Sequence, residues 1–210
     1  MHSKIKKIGK LVERSSGKEE TDKQYKCVIV GDGDSGKTSI LLRFMNGKFR
    51  DVYVPTIFET TEAQVEMEDN SEVRLTLWDT AGQEGYERLR PLSYHGAHVV
   101  LLCYSIANPD SFANIPNWIF EVKQSLPNAP IILVGCKMDL RENPSVIEYL
   151  AKLKESPVQF EEGEALAKKY GAKFLECSSL TNENIQDIFR RAAKLAVTKN
   201  AKSKKTCSIM

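Results

Sequence analysis

The sequence predicts an α/β domain on a mostly parallel sheet, and three observations predict it. Short apolar runs alternate along the chain with segments of helical period. Several of those runs are almost continuously apolar, as strands buried on both faces are. One run passes through a glycine-rich loop straight into a helical pattern, the start of a strand, loop and helix unit.

With 210 residues, 41% of them hydrophobic, the chain has enough apolar material for one well-packed domain and too little for two. Residues 1–24 are polar and read as a disordered basic leader. Within it, "KIKKIGKLV" spaces Ile5, Ile8, Leu11 and Val12 in a roughly helical way. That leaves a membrane-surface helix as the alternative to a solvated tail.

The domain itself is expected over residues 25–197. "YKCVIVG" is its first strand, and Ser39 to Met45 its first helix. Thr61 to Glu68 (TEAQVEME) alternates apolar and polar residues, as an edge or antiparallel strand does. Further strands are read at "VRLTLWD", "HVVLLCYS", "PIILVGCK" and "AKFLECS". Helices are expected at Ser111 to Ser125, Phe160 to Tyr170 and Glu183 to Val197. In the last, Ile185, Ile188, Phe189, Ala192 and Leu195 form one apolar face. Trp118 and Phe120 are expected to pack the helix after Pro116 onto the sheet.

Charge is unevenly placed. The chain is formally +2, with four lysines and no acid up to Val12, and seven basic residues and no acid after Asp187. Removing both ends leaves the body near −9. A basic tail on an acidic body points to an anionic surface as partner and away from nucleic acid. Five cysteines show no paired spacing, and Cys27, Cys103, Cys136 and Cys177 lie in or beside apolar runs. Buried thiols in a reducing compartment are expected. No run approaches the roughly 18 apolar residues of a membrane span, and no secretory leader is visible. His95 and His98 read as packing residues, and the three histidines with the scattered cysteines form no metal cluster.

The chemistry lies in three strings. "GDGDSGKT", Gly31 to Thr38, fits GxxxxGK[ST] between a strand and a helix. Gly31, Gly33 and Gly36 let backbone N–H groups converge on phosphate, joined by those of Asp32, Asp34, Ser35 and Ser39 at the helix N-terminus. Lys37 is placed to reach the β- and γ-phosphates, and the Thr38 hydroxyl to hold Mg²⁺. "LTLWDTAGQE" offers Asp79 as a second metal partner, the Gly82 backbone to the γ-phosphate, and Gln83 to orient water. In "GCKMDL", Asp139 can accept both N–H donors of the guanine edge, which adenine lacks, while Lys137 lies along the base. "ECSSL" adds Ser178 as support, the Ser179 N–H for the guanine carbonyl, and Leu180 beside it. GTP and GDP, with Mg²⁺, are the ligands this set selects.

These strings, with "YVPTIFE" and "WDTAGQEGYERLRPLSY", resemble the Ras superfamily of small GTPases and most closely its Rho family, over about residues 25 to 210. The resemblance implies a P-loop NTPase fold with a six-stranded sheet, five strands parallel and one antiparallel, and helices on both faces. It implies that Thr56 completes the Mg²⁺ shell, that Tyr53 covers the phosphates and that Phe49 stacks on guanine. "RENPSVIEYLAKLKES" is similar to the Rho insert helix, about residues 142–156, and Trp78 looks like the position that selects exchange factors. Expected partners are exchange factors, activating proteins with an arginine finger in trans, a dissociation inhibitor, and effectors at the two switches near Phe58 and Glu59. The family's output implies control of the actin cytoskeleton.

Residues 198–210 read as a polybasic tail ending in a CaaX box, "CSIM". That predicts prenylation of Cys207, farnesyl by the usual rule or geranylgeranyl, with Lys199, Lys202, Lys204 and Lys205 as the second membrane signal. The cytoplasm and the cytoplasmic face of membranes are the expected location.

Departures from the family qualify these expectations. Alanine and valine are common there where this chain has Asp34 and Ser35. Asp32 matches the family and is expected to point away from phosphate. The Asp34 charge, about 5 to 6 Å from phosphate and partly in water, is expected to cost on the order of 1 kcal/mol per interacting charge. Faster nucleotide release follows from it. Cys136, where threonine or asparagine is usual, is expected to remove a polar tie to the phosphate loop, and Gly85 to free the second switch. Arg50 matches no catalytic arginine. Two rivals share part of the pattern: a P-loop ATPase or small-molecule kinase, which has no need of Asp139, and a module that holds GTP without turnover.

Overall fold

The computed structural model describes residues 23–49, 58–82 and 90–207, with backbone only for Phe58 and for residues 201–207. Six strands form one sheet: β1 (Gln24–Val30), β2 (Phe58–Glu66), β3 (Glu72–Thr80), β4 (Val99–Ser105), β5 (Ile131–Cys136) and β6 (Lys173–Glu176). Their spatial order is β2-β3-β1-β4-β5-β6. Only β2 runs antiparallel, against β3, while every other pairing is parallel. The alternating string at Thr61 is this edge strand, with Ala63 and Val65 turned inward.

The near-continuous apolar runs split between two cores because successive side chains leave a strand on opposite faces. Cys27, Ile29, Leu101, Cys103, Ile132, Val134 and Cys136 face α1 (Lys37–Asn46) and α7 (Ile185–Cys207). Val28, Val30, Val100, Leu102, Tyr104, Ile131 and Leu133 belong to the other core, with α4 (Ile115–Ser125) and α6 (Phe160–Tyr170). The four cysteines expected inside are buried and free.

Helix boundaries follow local chemistry. The expected helix over Ser111 to Ser125 is two helices, α3 (Pro109–Ala113) and α4, parted at Asn114. Pro116 has no N–H to donate, and its ring would crowd the carbonyl of Phe112 in a continuous helix. Asn108 caps α3 by accepting from the Ser111 N–H at 3.3 Å. Phe120, expected on the sheet, is 67% exposed, whereas Trp118 is buried. α5 (Pro144–Lys152) lies inside the expected insert, capped by Asn143. α7 buries Ile185, Ile188, Phe189 and Ala192 as expected, adds Ala193 and Ala196, and continues to Cys207, beyond the expected domain end at 197. Among the described residues no helix is long and apolar enough to cross a membrane.

The chain runs from β1 through β3 on one side, then crosses to β4 on the other. Loops that follow the parallel strands therefore open a crevice at the carboxyl end of β1, where ligands bind in such sheets.

Candidate functional site

The Gly31 to Thr38 loop follows β1 directly, and its course is set by what surrounds it. Gly31 sits at φ +136, where a Cβ would lie 2.1 Å from the Cys103 carbonyl oxygen of β4. Gly82 presses on the loop from the other side, since a Cβ there would stand 2.5 Å from the Gly33 nitrogen. No other residue type fits either place. Gly36, at φ +100, precedes α1 and has no side chain to cap the helix, so the first N–H groups of α1 face the loop.

Lys37 is buried, and its ammonium donates to the carbonyls of Gly31 at 2.8 Å and Asp32 at 2.6 Å. Burial pulls it below the usual lysine range, and the Asp79 and Asp32 carboxylates oppose that pull. Asp79 is fully buried at the end of β3, opposite Ile29 in register, which brings it beside the loop. The Thr38 hydroxyl donates to its Oδ2 at 2.6 Å. A hydroxyl and a carboxylate converging there are hard oxygen donors of the kind Mg²⁺ takes alongside phosphate and water. The donor set fits the expected ion.

A second set of loops closes the crevice beyond β5 and β6. Lys137 stands at φ +62 and leads into a 3₁₀ turn, Met138–Leu140, that carries Asp139. Three contacts fix this turn to β6 and its surroundings. The Met138 N–H donates to the Cys177 carbonyl at 3.0 Å, and the Arg141 Nε to the Val158 carbonyl at 3.0 Å. The Arg141 guanidinium also forks onto buried Glu176, with Nη1 to Oε2 at 2.9 Å and Nη2 to Oε1. Ser178 and Ser179 are buried, the Ser178 hydroxyl accepting from the Thr181 N–H at 3.0 Å, while Leu180 is exposed. Phe49 is exposed, three residues past the end of α1.

The two loop sets meet in one ion pair. Lys137 Nζ donates to Asp34 Oδ1 at 2.9 Å across 103 residues of sequence. Asp34 itself lies at φ +58, a conformation that aspartate tolerates better than most residues. Cys136 meets the loop too, by packing rather than by a polar tie: a Cβ at Gly36 would lie 2.9 Å from its Cβ. Gln83, Gly85, Arg50, Tyr53 and Thr56 lie outside the described residues.

The structure adds residues that sequence reasoning passed over. Asp32 does turn away from the crevice, because Trp118 Nε1 donates to its Oδ1 at 2.6 Å and Asn114 Nδ2 to its Oδ2 at 2.8 Å. Arg90 lies 4.3 Å from the Trp118 ring centre on the short helix α2 (Arg90–Tyr94), and is held by Glu121. The Tyr94 hydroxyl donates to the same Glu121 at 2.6 Å. No string in the sequence joins position 32 to 114 or 118. Only a lone carboxylate and a helical tryptophan were visible.

Comparison with known proteins agrees with this geometry. A family model described as the Ras family matches residues 26–198. The chain is 48% identical to the GTP-binding protein rho5 of Schizosaccharomyces pombe over 199 residues, which cover 90% of this chain and 99% of that one. It is also 48% identical to the GTP-binding protein rho1 of the same organism, again over 90% and 99% of the two chains. The GTP-binding protein RHO1 of Candida albicans is 48% identical over 88% of this chain and 95% of its own length. The chain belongs to the Ras family of small GTPases, in its Rho branch.

Proposed function

We propose that this chain is a switch that binds GTP, hydrolyses it to GDP and phosphate, and signals differently in the two states. The observation that carries the reading is the convergence of two loop sets on one crevice. Lys37 and the Thr38–Asp79 pair stand on the phosphate side, Lys137 and Asp139 on the base side, and 2.9 Å separates the Asp34 and Lys137 charges that join them.

In this reading the loop N–H groups and Lys37 take the phosphates, and Asp139 accepts from the two guanine donors. Ser179 donates to the guanine carbonyl through its N–H, with Ser178, Leu180 and Phe49 flanking the base. Thr38 and Asp79, with Thr56, would hold Mg²⁺, which neutralises charge on the β- and γ-oxygens when bound. Gln83 orients the attacking water, and the Gly82 N–H and Thr56 hold the two switches against the γ-phosphate. Loss of that phosphate releases both switches. An arginine from an activating partner accelerates the hydrolysis that precedes this release by roughly 10³ to 10⁵.

Around this core we place exchange factors, a dissociation inhibitor and effectors near Phe58 and Glu59. Lys26 Nζ lies 3.3 Å from the centre of the Trp78 ring, so a partner reading Trp78 also meets that lysine. Prenylation at Cys207 and the lysines before it anchor the chain on the cytoplasmic face of a membrane, and actin organisation is the proposed output. Asp34 sets the rate of nucleotide release.

Competition of unlabelled GTP and ATP against a fluorescent guanine nucleotide tests the core of this reading, followed by single-turnover hydrolysis of the wild type and Gln83→Leu. Displacement by GTP alone, with hydrolysis lost in the variant, is expected. Displacement by ATP at equal concentration would transfer the chain to the ATPase reading. Membrane partition of Cys207→Ser, with mass spectrometry of the wild-type C-terminus, tests the anchor.

A further inference from the structure

We propose that Asp34 and Lys137 form a latch that ties the phosphate loop to the base-reading turn and shields the Asp34 charge from bound phosphates. The latch rests on the guanine-nucleotide reading above and gives Asp34 the opposite sign from the one its charge alone suggests.

Lys137 carries its ammonium on the same turn as Asp139, two residues away, and that turn is already tied to β6 through Met138 and to Glu176 through Arg141. The turn lies two strands from the phosphate loop, across β4, and Cys136 just before it packs on Gly36. The 2.9 Å contact to Asp34 adds a charged tie between the two loops. A nucleotide that bridges both loops leaves only when they part, so the step that frees it also breaks the ion pair. The pair therefore slows release.

The same contact places a cation beside a carboxylate that would otherwise repel phosphate. Asp34 is 71% exposed and Lys137 29%, so both the attraction and the repulsion act through water and are screened by salt. Their signs under screening differ. Salt weakens the latch and speeds release if attraction dominates; salt weakens repulsion and slows release if a bare carboxylate dominates.

The test is release of a fluorescent GDP analogue from the full chain with Mg²⁺, at about 0.05 M and 1 M salt, for the wild type and Asp34→Asn. The latch predicts that salt speeds wild-type release about threefold or more, and that Asp34→Asn shows a much smaller response. Salt that slows the wild type relative to Asp34→Asn would overturn it, as would identical responses. Asp34→Ala, Lys137→Met and the double variant of the two complete a cycle with the wild type that removes the stacking role of Lys137 from the comparison. Loss of Lys137 is expected to accelerate release about fivefold more with Asp34 present than with alanine there. Equal acceleration in both backgrounds overturns the latch while leaving guanine binding intact. A wild-type chain that loads no guanine nucleotide would instead remove the reading beneath it.

Discussion

Asp32 and Asp34 stand two residues apart on one loop and are held in unlike ways. Asp32 turns toward the domain and receives an indole N–H and an amide N–H, from Trp118 and Asn114. Asp34 turns outward and meets one lysine directly, in an ion pair open to solvent. The first carboxylate fastens the loop to α4 through partners that folding has already fixed, so it belongs to the stability of the domain. The second joins two surface loops that must separate for a ligand to pass, so it belongs to the kinetics of the site. Hydrogen bonds to a charged group contribute about 1.5 to 3 kcal/mol when protected, whereas exposed ion pairs contribute about 0 to 1 kcal/mol.

The largest effect should come from breaking what both sides share. Gly31→Ala sets a methyl 2.1 Å from the Cys103 carbonyl at a φ that an L residue rarely adopts. Backbone cannot yield there without moving β4, so nucleotide affinity is expected to fall more than a hundredfold, read by titration of a fluorescent guanine nucleotide. A second change sharpens the contrast. Trp118→Phe keeps most of the packing and deletes the N–H to Asp32, and should lower unfolding free energy by about 2 kcal/mol in urea denaturation. Asp34→Ala, measured in the same way, should cost less than about 1 kcal/mol. Equal losses would mean that the two carboxylates share one role, and the comparison would fail.

Much of the fold was legible because the parallel strands are buried on both faces, and burial on both faces writes itself as continuous apolar runs such as "HVVLLCYS". The phosphate loop was legible for a different reason: GxxxxGK[ST] is a local string, and its geometry is made by its own glycines. What stayed hidden was contact between distant positions. The carboxylate of Asp34 was read against phosphate alone, because nothing local to "GDGDSGKT" announces a lysine 103 residues later. Asp32 was expected to turn away, yet the tryptophan that turns it sat in a helix pattern where an aromatic residue is ordinary. Phe120, two residues further on, shared the pattern and faces solvent, because 3.6-residue periodicity places positions 118 and 120 on different faces. The split at Asn114 was written in Pro116, which the helical reading overrode.

A last prediction uses the opposite end of the sheet, away from both loop carboxylates, as a control. His98 precedes β4, and its Nδ1 accepts from the Lys26 N–H at the start of β1 at 3.0 Å, an arrangement that needs a neutral ring nitrogen. Burial holds its pKa below the usual histidine value, and the Lys199 and Lys26 charges add to the effect. The unfolded chain therefore takes up its proton first as pH falls through about 6.5. Stability is complete above that pH and declines below it, and the loss levels off once the native ring protonates as well. Thermal unfolding between pH 7.5 and 5.5 should show a modest fall in Tm that His98→Gln flattens. The Trp118→Phe and Asp34→Ala proteins should keep the wild-type slope, because a histidine at the far end of β1 titrates independently of both. A slope that Asp34→Ala removes would place the pH-sensitive group at the crevice and join two regions that the structure keeps apart.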